Sequence, residues 1–303
     1  MKTFISGDFL SSSFSGYPLY LARYHAHTLL LFTIDQIFDT IISGTAFSLL
    51  AASSGVVLYL PNQNVWTLLP RIPLVAAWLR LLILQACLQN QRSPDSIEED
   101  LINKPWRPIP SKRISRTQTE YLLTVAYVVA GITSYVLDTL SYWEVYVLLL
   151  AAYNDRGSSD HSGTVRNIFC GAAFACYFGG ALSIALGPDV ALSPKAIQWT
   201  LIMTCGVLAT TFHTQDFRDE AGDRARDRKT LVTELGRTPA LCTVIFFTCF
   251  WSLYISVVFF GGGVIVAALL REDRRMYKVW CLWVFGLCPL PLIMRTANQS
   301  WRF

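Results

Sequence analysis

The sequence predicts an all-α integral membrane protein with about nine transmembrane helices. Three observations predict it. The 303 residues are 53% apolar and only 15% charged, with a mean hydropathy of +0.40, whereas a soluble domain carries about 25% charged residues. Apolar runs long enough to cross roughly 30 Å of hydrocarbon recur along the chain. Loops rich in Lys and Arg alternate with loops nearly free of them, as the positive-inside rule requires of successive crossings.

The elements follow in order. Residues 1–25 form a Ser-rich, weakly apolar tail. From His25 to Asp39, His25, His27, Asp35 and Asp39 surround an apolar stripe, which suits a helix lying at the membrane interface. The alternative makes Asp35 and Asp39 intramembrane acids, a functional signal. The interface is favoured because residues 41–60 already supply a charge-free span. The chain then divides into a cytosolic tail with its interfacial helix (1–40), a transmembrane domain (41–294) and a short C-terminal tail (295–303). The expected spans are 41–60, 66–90, 119–137, 140–153, 168–187, 196–213, 239–258, 259–270 and 277–294. The pair within 239–270 is short, with Gly261-Gly262-Gly263 between its halves.

Charge placement orients these spans. Residues 91–118 and 214–238 each hold six Lys/Arg, and 271–278 hold four, while 61–65, 138–139 and 188–195 hold only Lys195. The basic loops are therefore cytosolic. The net charge of +4 is spread along the chain, which excludes a nucleic-acid binder with its basic stripe. The eight cysteines all fall in apolar segments without a CxxC pair, so they read as small core residues and not as disulfides or zinc ligands. The first twenty residues lack a basic segment followed by an apolar one, so no cleaved signal is expected.

Two charged segments on the same side carry the chemistry. In the second, Asp216, Asp219 and Asp223 stand at i, i+3 and i+7. On a helix running out of the sixth span they share one face. Three carboxylates in a row repel one another unless a cation sits among them. Hard oxygen donors suit Mg²⁺, which keeps several waters and bridges to phosphate oxygens. Arg228 and Lys229 lie close enough to contact the same phosphates. The competing reading is a solvated charge run with acids and bases paired off. The first segment tips the balance. Asn90 closes a span, Asp95, Glu99 and Asp100 follow, then Lys104 and Arg107, and prolines 105, 108 and 110 stiffen the loop. Two acidic clusters at one mouth of a helical bundle suit a diphosphate held through Mg²⁺, above an apolar interior for a hydrocarbon tail. Between the fourth and fifth spans, Asn154 and Asp155 either line the same pocket or cap helix ends. His213, one turn before Asp216, is either a satisfied buried histidine or a proton carrier in the pocket.

With Asp100-Leu-Ile-Asn103-Lys-Pro-Trp-Arg107-Pro-Ile-Pro-Ser and Asp216-xx-Asp219-xx-Gly222-Asp223, the sequence resembles the UbiA superfamily of intramembrane prenyltransferases from about residue 27 onward. The resemblance implies a helical bundle around a central cavity, with Mg²⁺ at a cytosolic cap binding an isoprenyl diphosphate. It implies Asn90, Asp100, Asp216, Asp219 and Asp223 as metal ligands, with Asp95 or Glu99 as the middle acid of the first motif. Asp219 and Asp223 would be the acids on which ionisation depends. Lys104, Arg107 and Lys229 would contact the diphosphate. Two departures stand out. Asn90 lies ten residues before Asp100, two more than the usual motif, and Lys112 occupies a position where glycine is usual.

The Glu-Asp-x-x-Asn-Lys-Pro-Trp-Arg-Pro wording is closest to a fungal branch of membrane-bound sesquiterpene cyclases, of the β-trans-bergamotene synthase type. That implies a cyclase acting on farnesyl diphosphate, in the endoplasmic-reticulum membrane. Prenyl transfer to an aromatic or other small acceptor is the alternative, and a non-catalytic membrane scaffold is a third reading. Trp199, Phe212, Phe250, Trp251 and Tyr254 are aromatic residues near the spans; packing is their ordinary role, and holding a carbocation by its charge the functional one.

Overall fold

A computed structural model describes residues 11–260 and 273–300, and all their secondary structure is helical. The helices of eight residues or more are α1 (Ser11–Thr33), α2 (Ser43–Ser53), α3 (Ile72–Gln91), α4 (Pro94–Asn103), α5 (Arg116–Val136), α6 (Leu140–Leu150), α7 (Gly163–Leu186), α8 (Pro194–Leu201), α9 (Asp216–Ala225), α10 (Arg237–Phe260), α11 (Asp273–Leu287) and α12 (Leu290–Ser300).

Six helical stretches among the described residues are long and apolar enough to cross a membrane: Pro18–Ser53, Val65–Gln91, Arg116–Val136, Gly163–Leu186, Arg237–Ile255 and Tyr277–Arg295. The expected count of nine is not confirmed among the described residues. The expected spans 140–153 and 196–213 are helical. The first is short, passing from α6 into a π-helical turn at Ala151–Asp155. In the second, Gln198, His213 and four threonines dilute the hydropathy. The expected span 259–270 lies almost wholly outside the described residues, as does Arg271.

The expected boundary at residue 40 falls within a helical stretch. Residues 18–53 form one helical stretch, in which α1 passes through the 3₁₀ turn Ile34–Gln36 and the π turn Ile37–Ile42 into α2. No Gly or Pro lies between Pro18 and Gly44 to stop a helix there. Asp35 and Asp39 therefore sit inside the rod, at its irregular turns. The expected first span also ends early, because α2 stops at Ser53.

α7 is the hub. It packs against α2, α3, α6 and the π-helical turn Ile202–Leu208, and most of its residues past Tyr177 are buried. Small residues permit the close approach. A Cβ on Gly171 would stand 2.6 Å from Ala209 Cβ, and one on Gly180 would stand 2.3 Å from the Trp78 ring. Trp78 is fully buried and its indole N–H donates to Ser134 Oγ at 2.9 Å, which ties α3 to α5. All eight cysteines are free, with Cys205 and Cys242 exposed and not in the core.

Gly180→Ala should therefore force Trp78 off its partner. The overpacking should cost about 1–3 kcal/mol, read as a lowered thermal midpoint of the detergent-solubilised protein.

Candidate active site

A cavity of about 190 Å³ opens at one end of the bundle. One part of its wall is apolar and aromatic, with Cys87, Phe169, Phe174, Tyr177 and Phe212. The other part is charged, with five cations (Lys104, Arg107, Arg166, Arg218, Arg228) and three acids (Asp35, Glu99, Asp219). The charged part is built by the turn carrying Asp35, α4 and the turn after it, Arg166 near the start of α7, and α9 with the stretch that follows it.

Both Asp-rich segments are helical. Pro94 starts α4 at its first turn, where its missing N–H costs nothing. α9 opens at Asp216 and carries Asp216, Asp219 and Asp223. One residue joins the two helices. Asn103, the last residue of α4, donates from Nδ2 to the Asp219 carbonyl at 2.7 Å and accepts the Gly222 N–H at 3.1 Å. A Cβ on Gly222 would lie 2.3 Å from Asn103 Nδ2, so only glycine admits this contact. After α4 the chain turns through prolines 105, 108 and 110. Lys112 has a φ of 58°, the left-handed conformation that glycine adopts without strain. The lysine keeps the glycine backbone at that position.

The acids are matched to bases from other segments. Arg107 binds Asp100 through Nη1, at 2.8 and 3.0 Å, and Asp35 through Nη2 at 3.2 Å. Lys104 Nζ lies 2.6 Å from Asp219 Oδ2. Arg166 binds both oxygens of Asp216, at 2.6 and 2.7 Å. Glu99 accepts from Arg226 at 3.1 Å and Arg228 at 3.3 Å. Burial pushes the Asp100 and Asp216 carboxyls above their ordinary value despite these arginines. Burial also works against Asp219, but Lys104 and Arg218 outweigh it and hold that carboxyl down at about 2.

Asp223 differs. It is 1% exposed, neither carboxylate oxygen has a hydrogen-bond partner, and Arg228 Nη1 comes no nearer than 3.7 Å. Burial, with Asp216 and Glu99 nearby, outweighs Arg166 and Arg228 and pushes its carboxyl up to about 7. A buried carboxylate without partners is expensive, and hard oxygen donors of this kind fit a divalent cation. Among the described residues, however, no three His, Cys, Asp or Glu side chains converge as a metal cluster. The donor chemistry fits; the acids, Asp223 excepted, are turned to bases.

The structure sorts the expected site residues. Asn90, Glu99, Lys104, Arg107, Asn154 and Asp219 line the cavity, and Asn90 Nδ2 donates to Asn154 Oδ1 at 3.1 Å. Asp100, Asp216 and Asp223 are buried behind the lining bases. Asp95 is exposed in the first turn of α4, and Lys229 is exposed while its neighbour Arg228 turns inward. Neither Asp95 nor Lys229 is brought to the cavity. His213 is fully buried against Asn167, Thr243 and the Ala240 carbonyl. Of the aromatic residues considered, Phe212 lines the cavity, whereas Phe250 and Tyr254 are exposed on the bundle. Sequence reasoning raised Asp35 only as the less favoured alternative and missed Arg166 and Arg218. An acid inside an apolar stretch was the available signal for Asp35; nothing local marked the other two.

A cap of paired charges above a partly apolar cavity, inside a bundle of helices long and apolar enough to cross a membrane, defines an integral membrane protein. The chain matches the UbiA prenyltransferase family over residues 42–271 and belongs to it. It is 30% identical over 238 residues to the fumagillin β-trans-bergamotene synthase of Aspergillus fumigatus, covering 73% of this chain and 81% of that one. It is 27% identical over 268 residues to a diterpene cyclase of Hericium erinaceus, covering 82% and 81%. A polyprenyl transferase of the same fungus is 30% identical over 203 residues, covering 65% and 64%. Among solved structures, a UbiA homologue from Archaeoglobus fulgidus bound to DMAPP and Mg²⁺ superposes with a TM-score of 0.57 at 11% identity, covering 88% and 86%. This chain is an enzyme of that family, whose members include both prenyltransferases and terpene cyclases.

Asp223 gives the metal-free protein a pH signature. Above the ordinary value of 3.8 the unfolded chain releases this proton, while the folded protein keeps it up to about 7. Stability should fall as pH rises through that window and level off above it. Asp223→Asn should flatten the profile, measured as thermal unfolding in chelator between about pH 5 and 8.

Proposed function

We propose that this enzyme ionises farnesyl diphosphate and cyclises the resulting carbocation to a sesquiterpene hydrocarbon. The observation that carries the reading is the division of the cavity wall. Cations at the cap suit a diphosphate, and Phe169, Phe174, Tyr177 and Phe212 suit a folded prenyl chain. The C–O bond breaks with its electrons leaving on the diphosphate, and the allylic cation then closes onto its own double bonds before losing a proton. Lys104, Arg107, Arg166, Arg218 and Arg228 would hold the departing charge. The aromatic faces would stabilise the passing cation, and the apolar wall would exclude water. Mg²⁺, held by Asp223 together with Asp216, Asp219, Asp100 and Asn90, would supply neutralising charge to the phosphate oxygens. The cap would face the cytosol, as the basic loops suggest, and the enzyme would lie in the endoplasmic-reticulum membrane.

Prenyl transfer is the second reading, favoured by one observation. A larger cavity of about 700 Å³, lined by Phe38, Trp106 and Tyr277 among others, shares Asp35, Lys104, Arg218 and Asp219 with the first. It has room for an acceptor beside the diphosphate cap.

The assay supplies membranes containing the protein with farnesyl diphosphate and Mg²⁺ and examines the headspace. A volatile hydrocarbon formed without acceptor is expected. Product that appears only on adding a phenolic acceptor would refute cyclisation in favour of transfer. Asp219→Ala and Asp223→Ala should each abolish diphosphate release, and full activity in either would refute the metal assignment.

A further inference from the structure

Asp39 lies in the π-helical turn Ile37–Ile42 of the first rod and is 8% exposed. An acid inside a membrane helix is costly and marks a function by default. Single π turns recur at functional sites. Asp39 Oδ2 accepts a hydrogen bond from the Tyr277 hydroxyl at 2.7 Å, across 238 positions of sequence. The Tyr277 ring stacks on Trp280, with centroids 5.6 Å apart and planes at 27°. Trp280 is itself fixed, its indole N–H donating to Thr211 Oγ1 at 2.8 Å. The Arg218 guanidinium stands over the Tyr277 ring, 4.9 Å from its centroid. Arg218 lines both cavities.

The way Arg218 is held matters. Arg107 and Arg166 each spend a terminal nitrogen on both oxygens of a carboxylate. Arg218 donates from Nε to Asp219 Oδ1 at 3.1 Å, and its Nη2 contact to the same carboxylate is stretched to 3.5 Å. A ring face orients a guanidinium by its charge and uses none of its N–H donors. Those donors stay available to phosphate oxygens, which they match bidentately.

We propose that Asp39 and Tyr277 are positioning residues for Arg218, and that Arg218 binds the anionic headgroup of the substrate. Asp39 anchors the hydroxyl, Trp280 supports the ring, and the ring presents the guanidinium to the cap. The inference rests on the diphosphate reading of the site, and is indifferent to whether the cation cyclises or is transferred.

The test titrates inorganic pyrophosphate with Mg²⁺ into the full-length protein in detergent by calorimetry, alongside KM and kcat for farnesyl diphosphate. Tyr277→Phe keeps the ring and loses the anchor; it should weaken pyrophosphate binding and raise KM about tenfold, with kcat changed less. Asp39→Ala should do the same. Asp39→Asn, whose amide oxygen still accepts the phenol, should stay within about threefold of the parent. In an Arg218→Met background, Tyr277→Phe should cause no further loss, because the two act as one unit. An equal loss in both backgrounds would overturn the proposal, and so would Asp39→Asn binding as weakly as Asp39→Ala. A parent protein that binds neither pyrophosphate nor farnesyl diphosphate would remove the diphosphate reading itself. The coupling and rescue patterns apply only where the parent binds, so the two failures are distinguishable.

Discussion

The pairing of buried acids with bases from distant segments is the interaction on which the rest depends. Asp100, Asp216, Asp219 and Glu99 each meet a cation outside their own helix. In a low-dielectric bundle an isolated charge is very costly, and removing one partner of a buried pair leaves such a charge behind. The pairs therefore fix the mutual placement of α4, α7, α9 and the first rod. Asn103 adds a neutral contact between α4 and α9 at the point where a glycine permits it. The aromatic lining below the cap is held in place by α7, whose small residues let its neighbours approach closely.

What the sequence made legible follows from how local each signal was. Span length and loop charge are local, and they located most of the helices. The i, i+3, i+7 spacing of Asp216, Asp219 and Asp223 is local, and it anticipated α9. Helical continuity through Asp35 and Asp39 was the less favoured reading, because the charge-free run at 41–60 already supplied a span and left the acids to an interfacial helix. Asp95 was admitted by motif spacing, yet it sits exposed in the first turn of α4, one turn before the buried Glu99. Arg228 and Lys229 were both expected at the phosphates, and in the non-helical stretch after α9 only Arg228 lines the cavity. Arg166 and the Asp39–Tyr277 contact could not be seen at all. Their partners lie 50 and 238 residues away, and only packing brings them together.

The order of charges at the cap bears on how it would work. Five cations and three carboxylates face the cavity, while Asp100, Asp216 and Asp223 stand behind them. An anion arriving from the cavity side meets bases first. On the proposed reading, its phosphate oxygens compete with the internal carboxylates for Arg107, Arg166 and Lys104. Each base drawn toward the anion leaves a carboxylate less neutralised and a better donor to a divalent cation. Linkage makes the effect reciprocal: a cation on the acids frees bases for the anion. The ion pairs that hold the bundle's end together without substrate are thus the contacts that substrate would exchange. Asp223, which accepts no hydrogen bond and has Arg228 only at 3.7 Å, would be the first acid open to the cation.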